Sequence, residues 1–289
     1  MKHTYLIRMK KDIAIKKIAP RTIVAFYEDY FELNAGSIIL DNFILVIDTL
    51  LYPSQTREFR AYLDQNYKQP IKYLLLTHFH GDHLLGMGEF KSNDIEVLGT
   101  EQLVDNMKNR LENNWSQESI AKWKEEEPDN TEDFDAIDLF LPHRTFEKSH
   151  VIEDGSLRVE FYHSGGHSGC SAWVYFAEDK VIFTGDELAS YNWPFISEPS
   201  GNPDTWIQAF EHMLSLDVEN VVPGHGKIVN KKHLQEHLEY LKTLRSIVLK
   251  GIEDCIKVEE LVVPEFYKPA EDWQIPKALE HLYNFYSKR

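Results

Sequence analysis

Thr77-His78-Phe79-His80-Gly81-Asp82-His83 is the stretch on which the reading of this chain turns. His78, His80, Asp82 and His83 put four metal-ligating side chains within six residues, directly after a continuous apolar run over 71–76 of the buried-strand type. Chain leaving a strand end is where a rigid scaffold can aim several side chains at one point. His78 and His80 are two apart, so in extended backbone they face the same side. Asp82 and His83 then open a helix carrying Leu84, Leu85, Met87 and Phe90, and that turn points them at a second, nearby position. One segment therefore offers nitrogen ligands to one metal ion, and a carboxylate with an imidazole to another. Mixed imidazole and carboxylate donors suit zinc, iron or manganese. A solvated loop rarely collects three histidines and an aspartate so tightly.

Upstream of this segment, 21–27, 37–40 and 43–47 are short runs rich in β-branched and aromatic residues, with Asp41-Asn42 as a hairpin turn. Helical spacing of Phe59, Tyr62, Leu63 and Tyr67 predicts a helix over 56–67, ended before Pro70. Downstream, 101–127 is helical and highly charged, and 128–138 is an acidic loop, so 101–150 reads as an insertion on the domain surface. Strands resume at 157–162, 172–176 and 181–183. Asp204 is placed to cap a helix over 205–215, and 218–222 is another strand. Leu234, Leu238, Leu241, Leu244, Ile247 and Val248 mark an amphipathic helix over 231–250 that Gly251 should stop. The chain thus divides into a domain over 1–251 and a tail over 252–289 ending in a helix. Two successive rounds of strands and helices argue for a layered α/β domain.

Length and composition set outer bounds. The 289 residues, 43% of them hydrophobic, are enough for a large core. The formal net charge of −16 argues against a nucleic-acid partner and against docking on anionic lipid. Residues 1–17 hold no apolar run long enough for a signal peptide or a membrane span, and there are only two cysteines, Cys170 and Cys255. Together these predict a cytoplasmic protein acting on a small-molecule substrate.

The HxHxDH segment resembles the signature of the metallo-β-lactamase superfamily, and further elements match in order. Asp48 in Val46-Ile47-Asp48-Thr49, His167 in Gly166-His167-Ser168, Asp186 in Phe183-Thr184-Gly185-Asp186 and His225 in Val222-Pro223-Gly224-His225-Gly226 fall where that family carries functional residues. The resemblance covers roughly 23–250 and implies a four-layer αββα sandwich, here with a helical insertion and a helical C-terminal tail. It implies that His78, His80 and His167 hold one metal, that Asp82, His83 and His225 hold a second, and that Asp186 bridges both, with Asp48 supporting from behind. It further implies two divalent ions, zinc favoured over iron or manganese, sharing an activated hydroxide, with Asp82 orienting that nucleophile. The residues agree independently: Asp48, His78, Asp186 and His225 each follow a short apolar run.

A carboxylate at Asp186 resembles hydroxyacylglutathione hydrolases, lactonases, cyclase-like relatives and phosphodiesterases of this superfamily. Hydrolysis of an ester, thioester or lactone carbonyl is the expected activity. β-Lactam hydrolysis, a small-molecule phosphodiesterase, and a non-catalytic regulatory protein on the same scaffold are the alternatives. Tyr191, Trp193 and Phe195 follow Asp186 in a loop and are candidate substrate-binding residues. Cys170 reads as a small buried residue, because Asp186 already fills the bridging place. The aromatic tail, with Phe266, Tyr267, Trp273 and Tyr286, either caps its own domain or binds a second subunit in a homodimer.

Overall fold

A computed structural model describes residues 12–28, 32–267, 269 and 271–288. Residues 1–11, most of the stretch read above for a signal peptide, lie outside the described residues. No described helix is long and apolar enough to cross a membrane.

Two sheets lie at the centre. The first runs in chain order: β1 (Ala14–Lys17), β2 (Thr22–Tyr27), β3 (Leu33–Ile39), β4 (Ile44–Ile47), β5 (Ile71–Leu75), β6 (Glu96–Thr100) and β7 (Arg144–Phe146). The second is ordered β12-β11-β10-β9-β8, from β8 (Ser149–Asp154), β9 (Leu157–His163), β10 (Ala172–Phe176), β11 (Val181–Phe183) and β12 (Asn220–Val222). The pairs β4/β5, β5/β6, β6/β7 and β11/β12 are parallel. The helices are α1 (Pro53–Asn66), α2 (Gly81–Leu84), α3 (Glu101–Asn113), α4 (Gln117–Glu126), α5 (Thr131–Asp135), α6 (Pro203–Ser215), α7 (Lys231–Glu253) and α8 (Gln274–Ser287).

Three apolar clusters separate four layers. Strand side chains alternate between faces, and in the central strands β3, β4, β10 and β11 both faces are buried. Ile44 and Val46 of β4 turn towards α1 and α3, packing with Phe59, Leu63 and Leu103. Leu45 and Ile47 turn the other way and meet Val159, Val174, Phe183 and Val222 of the second sheet. In β10, Val174 faces that middle layer, while Trp173 and Tyr175 join Trp206, Phe210, Leu241 and Leu244 of the far helices. The order is helix, sheet, sheet, helix. Burial on both faces is why these strands read as unbroken apolar runs.

Some boundaries differ from the sequence reading, each for a local reason. The helix expected at 56 starts at Pro53, whose missing N–H costs nothing in the first turn. Asn202 caps α6 in place of Asp204, its Oδ1 accepting from the Asp204 and Thr205 amides at 3.0 and 3.3 Å. Gly251 does not stop α7, which continues to Glu253. A Cβ there would lie 2.5 Å from Leu261 Cδ2, so this glycine serves close packing of the tail. The acidic 128–138 stretch contains α5, and β7, within 101–150, extends the first sheet. Ala278, Leu279, Leu282 and Tyr286 of α8 pack in the same cluster as α6 and α7, so the tail covers its own domain.

Candidate metal centre

The C-terminal ends of β4, β5, β11 and β12 meet along one rim, and the polar loops they release carry the candidate ligands. Bridging contacts draw the two sheets together there: His225 pairs with Leu33 and with Ala189 outside the named strands, and the Asn34 amide donates to Gly224 O at 2.9 Å. The Asn34 side chain also donates to Pro223 O and Gly226 O at 2.9 and 2.8 Å, fixing the turn that carries His225. Gly224 is required by closeness, since a Cβ there would sit 2.1 Å from Asp186 Oδ1.

The scattered ligands converge into two adjoining groups. His78, His80, His167 and Asp186 each offer an atom within 4.8 Å of the others, and so do Asp82, His83 and His225. Asp186 faces both. Its Oδ2 lies 3.4, 3.9 and 3.7 Å from His78 Nε2, His80 Nδ1 and His167 Nε2. Its Oδ1 lies 3.0 and 3.4 Å from His83 Nε2 and His225 Nε2. His225 Nε2 is in turn 3.3 Å from Asp82 Oδ2. Donors about 2.0–2.1 Å from a tetrahedral zinc stand roughly 3.3 Å apart, close to most of these separations.

Hydrogen bonds behind the rings decide which nitrogen faces inward. His167 Nδ1 donates to Phe195 O at 3.1 Å, and His83 Nδ1 donates to Asp48 Oδ2 at 3.0 Å. Thr77 Oγ1 donates to Asp48 Oδ2 at 2.7 Å and so accepts from His78 Nδ1 at 3.0 Å. Asp48 also accepts the Thr77 amide at 2.7 Å, and its backbone sits in the left-handed region at φ 56°, a strained conformation of the kind that clusters at functional sites. The inward nitrogens of these rings are thereby left as lone-pair acceptors. They face one another and a carboxylate: His167 Nε2 is 3.1 Å from His80 Nδ1, while His78 Nε2 and Asp186 Oδ1 are buried with no hydrogen-bond partner. A nest of acceptors this close calls for a cation, and its imidazole and carboxylate donors fit a divalent metal.

Electrostatics point the same way. Burial, followed by the charge of His83, pushes His78 well below the usual imidazole range; burial also takes His167 down to about 4. Burial opposes charge on His83 and His225 too, but Asp186 and Asp82 outweigh it: His83 is held well above the usual range and His225 rises to about 9. Asp82 and Asp186 are held well below the carboxylate range, the neighbouring histidines overcoming the cost of burial.

This chain belongs to the metallo-beta-lactamase superfamily. The family profile of that description matches residues 34–225, the span from the Asn34 clamp to the last histidine. A linear primary-alkylsulfatase of a Pseudomonas species is 22% identical over 230 residues, covering 71% of this chain and 43% of the relative. An atrochrysone carboxyl ACP thioesterase of a Cryptosporiopsis species is 23% identical over 175 residues, covering 58% of this chain and 40% of the relative. This chain therefore spans less than half the length of either. In fold it is similar to the stereoselective inverting sec-alkylsulfatase of a Pseudomonas species, with TM-score 0.74 and 16% identity over 95% of this chain and 50% of that one. The chain thus has the αββα fold of the superfamily and groups able to hold metal.

A cavity of about 610 Å³ opens onto this metallo-beta-lactamase centre. Asp82, Asp186, His225 and His80 form its floor; Trp193 and Phe195 from the loop after Asp186 line one wall. Trp193 is almost wholly buried, its Nε1 donating to Tyr240 Oη at 2.9 Å. Tyr191, the third residue of that expectation, is not among the lining residues. It is 54% exposed and stands against His233 and Tyr267, ring centroids 4.8 and 5.6 Å away. Cys170 is buried, and burial pushes its thiol up to about 12, so it offers no thiolate.

Several residues of the site had no motif to announce them. Glu187, next to Asp186, accepts from Ser164 Oγ at 2.6 Å and from the Gly166 and His167 amides at 3.2 and 3.3 Å. It ties the loop carrying His167 to the turn carrying Asp186, and burial raises it to about 7. Glu198 stands 3.6 Å from His80 Nε2 and is anchored by Ser200. Arg110, Trp273 and Lys277, from the insertion and the tail, line the outer cavity.

Proposed function

We propose that this chain hydrolyses an ester, thioester or lactone carbonyl, with two divalent ions, zinc foremost, held by His78, His80, His167 and Asp186 on one side and by Asp82, His83, His225 and Asp186 on the other. The observation that carries this reading is the set of inward-facing lone pairs, shared through Asp186, at the floor of a cavity with an apolar wall. When bound, such ions supply Lewis acidity and a water nucleophile available near neutral pH.

The chain's own residues do the rest. Asp82 stays ionised and is 15% exposed at the cavity floor, so it accepts the hydrogen bond that orients the attacking water. Asp48, Thr77 and the Phe195 carbonyl keep His83, His78 and His167 in the tautomers that aim a lone pair inward. Phe195 and Trp193 exclude water on one side and receive the apolar body of the substrate. The thioesterase relative supports carbonyl chemistry. The alkylsulfatase likeness over 95% of the chain supports a second reading, cleavage of a sulfate ester in the same cavity.

A substrate panel tests this. The metal-loaded protein is assayed with nitrophenyl esters, acyl thioesters, lactones, alkyl sulfates, a β-lactam and bis-nitrophenyl phosphate. The proposal predicts turnover of carbonyl esters, lost on chelation and regained with zinc. Turnover of alkyl sulfates alone would replace it with the second reading, and no turnover of any substrate would contradict it.

A further inference from the structure

The outer cavity carries two cations that are held by rings and not by carboxylates. Arg110, on α3, sets its guanidinium 4.8 Å from the Phe79 ring centroid, and Phe79 lies 4.7 Å, ring to ring, from His80. Lys277, on α8, sets its Nζ 5.0 Å from the Trp273 ring centroid. Trp273 stands 5.8 Å from Phe195, which stands 6.5 Å from His80. Two aromatic paths therefore leave His80, one through Phe79 and one through Phe195 and Trp273, and each ends in a positive charge on the cavity lining.

Elsewhere in this chain of net charge −16, cations are commonly paired, as in Arg57–Glu89, Arg144–Glu96, Lys91–Asp138 and Arg245–Asp204. Neither Arg110 nor Lys277 makes an ion pair with any described residue. Four carboxylates share the lining: Asp82 and Asp186 lie at the floor against His225, and Glu198 and Glu271 lie further out. Glu198 is engaged by His80 and Ser200, and Glu271 forms no ion pair with either cation. A cation stacked on a ring keeps its N–H donors free at the edge, and a guanidinium there suits a planar or tetrahedral anion.

We propose that Arg110 and Lys277 form an anion anchor, so that the substrate of this hydrolase is an ester whose apolar body ends in a negatively charged group remote from the bond cleaved. This rests on the hydrolase reading above and narrows its substrate class. The reacting group sits at the floor, the apolar body lies along Phe195 and Trp273, and the anionic end reaches the rim. Specificity for the charged end then comes from the inserted helix and the tail helix.

The test compares charge at constant shape. The metal-loaded full chain is titrated with octanesulfonate and with uncharged octyl methyl sulfone, followed by tryptophan fluorescence. The anchor predicts about tenfold tighter binding of the sulfonate, weakening as salt rises, and loss of that preference in the Arg110→Gln/Lys277→Gln variant. The charge-keeping Arg110→Lys/Lys277→Arg variant should recover much of it, and Lys91→Gln should not change it. Equal binding of the two probes, or a preference that survives in the glutamine variant, overturns the proposal. In a parallel assay, kcat/KM for mono-4-nitrophenyl adipate over that for 4-nitrophenyl hexanoate should exceed one and fall towards one in the glutamine variant. If neither ester is cleaved while the binding preference and its loss persist, the hydrolase reading fails and the anchor stands. If both esters are cleaved equally and the sulfonate has no advantage, the anchor fails and the hydrolase reading stands.

Discussion

Asp48 Oδ2 and His83 Nδ1 lie 3.0 Å apart, both buried, and this contact turns His83 Nε2 to within 3.0 Å of Asp186 Oδ1. An aspartate one residue past β4 thereby sets the tautomer of a ligand on α2. In Asp48→Asn an amide Nδ2 facing His83 cannot accept its proton. Loss of such an outer partner typically lowers metal affinity by about 10- to 100-fold. Chelator-competition titration of zinc should show that loss for one of two ions, with the fold intact by circular dichroism. Unchanged affinity for both would remove Asp48 from this role.

His80 and Cys170 make a matched pair of controls. His80→Ala removes a ring whose Nδ1 lies 3.1 Å from His167 Nε2, so turnover should vanish and bound metal should fall. Cys170→Ala removes a buried thiol that offers no ligand, so metal content and kcat should stay near wild type. Metal analysis beside an ester assay reads both. Activity retained without His80 would undo the first metal group.

Glu187 fastens the His167 loop, so its loss should cost stability as well as metal. Glu187→Ala strands the Gly166 and His167 amides, and each buried orphan donor costs about 1–3 kcal/mol. Glu187→Gln keeps an acceptor oxygen and should lose less. Urea unfolding of the metal-free proteins separates the two; equal stability of alanine variant and wild type would contradict the fastening role.

His237 predicts a particular acid response. It is buried on α7, its Nε2 has no hydrogen-bond partner, and burial pushes it from 6.5 to about 3. Its folded value lies below its unfolded value, so the unfolded chain takes up the proton first. Stability present above about pH 6.5 is therefore lost progressively as pH falls towards 3. His237→Phe should flatten that part of the stability curve relative to wild type, measured by urea unfolding of the metal-free proteins between pH 7 and 4. An identical acid slope would show that His237 does not contribute.

The ligand rim was legible because its residues are few, polar and punctuate apolar strands: His78, Asp186 and His225 announce themselves after β5, β11 and β12. Alternation of strand and helix made a layered α/β domain legible, while the four-layer order was implied only by the family resemblance. Boundaries at Pro53, Asn202 and Gly251 were not, because tertiary contacts and cap geometry decide them; Gly251 answers to Leu261 across space, not to its helix. Asn34, Glu187 and Glu198 act through single hydrogen bonds or ion contacts, which leave no periodic trace in a sequence. Arg110 and Lys277 are charged residues on charged or mixed helices, and only the folded cavity sets them apart. Tyr191 shows the converse: an aromatic beside a ligand loop whose backbone, at φ 58°, stands it against His233 and Tyr267 instead.

The most direct measurement is the number of metal ions bound per chain, by mass spectrometry of the intact protein after zinc loading and gel filtration. Two ions for the wild type, and one for His225→Ala, are the predicted counts. A folded wild-type chain that takes up none after full reconstitution would contradict the shared centre at Asp186.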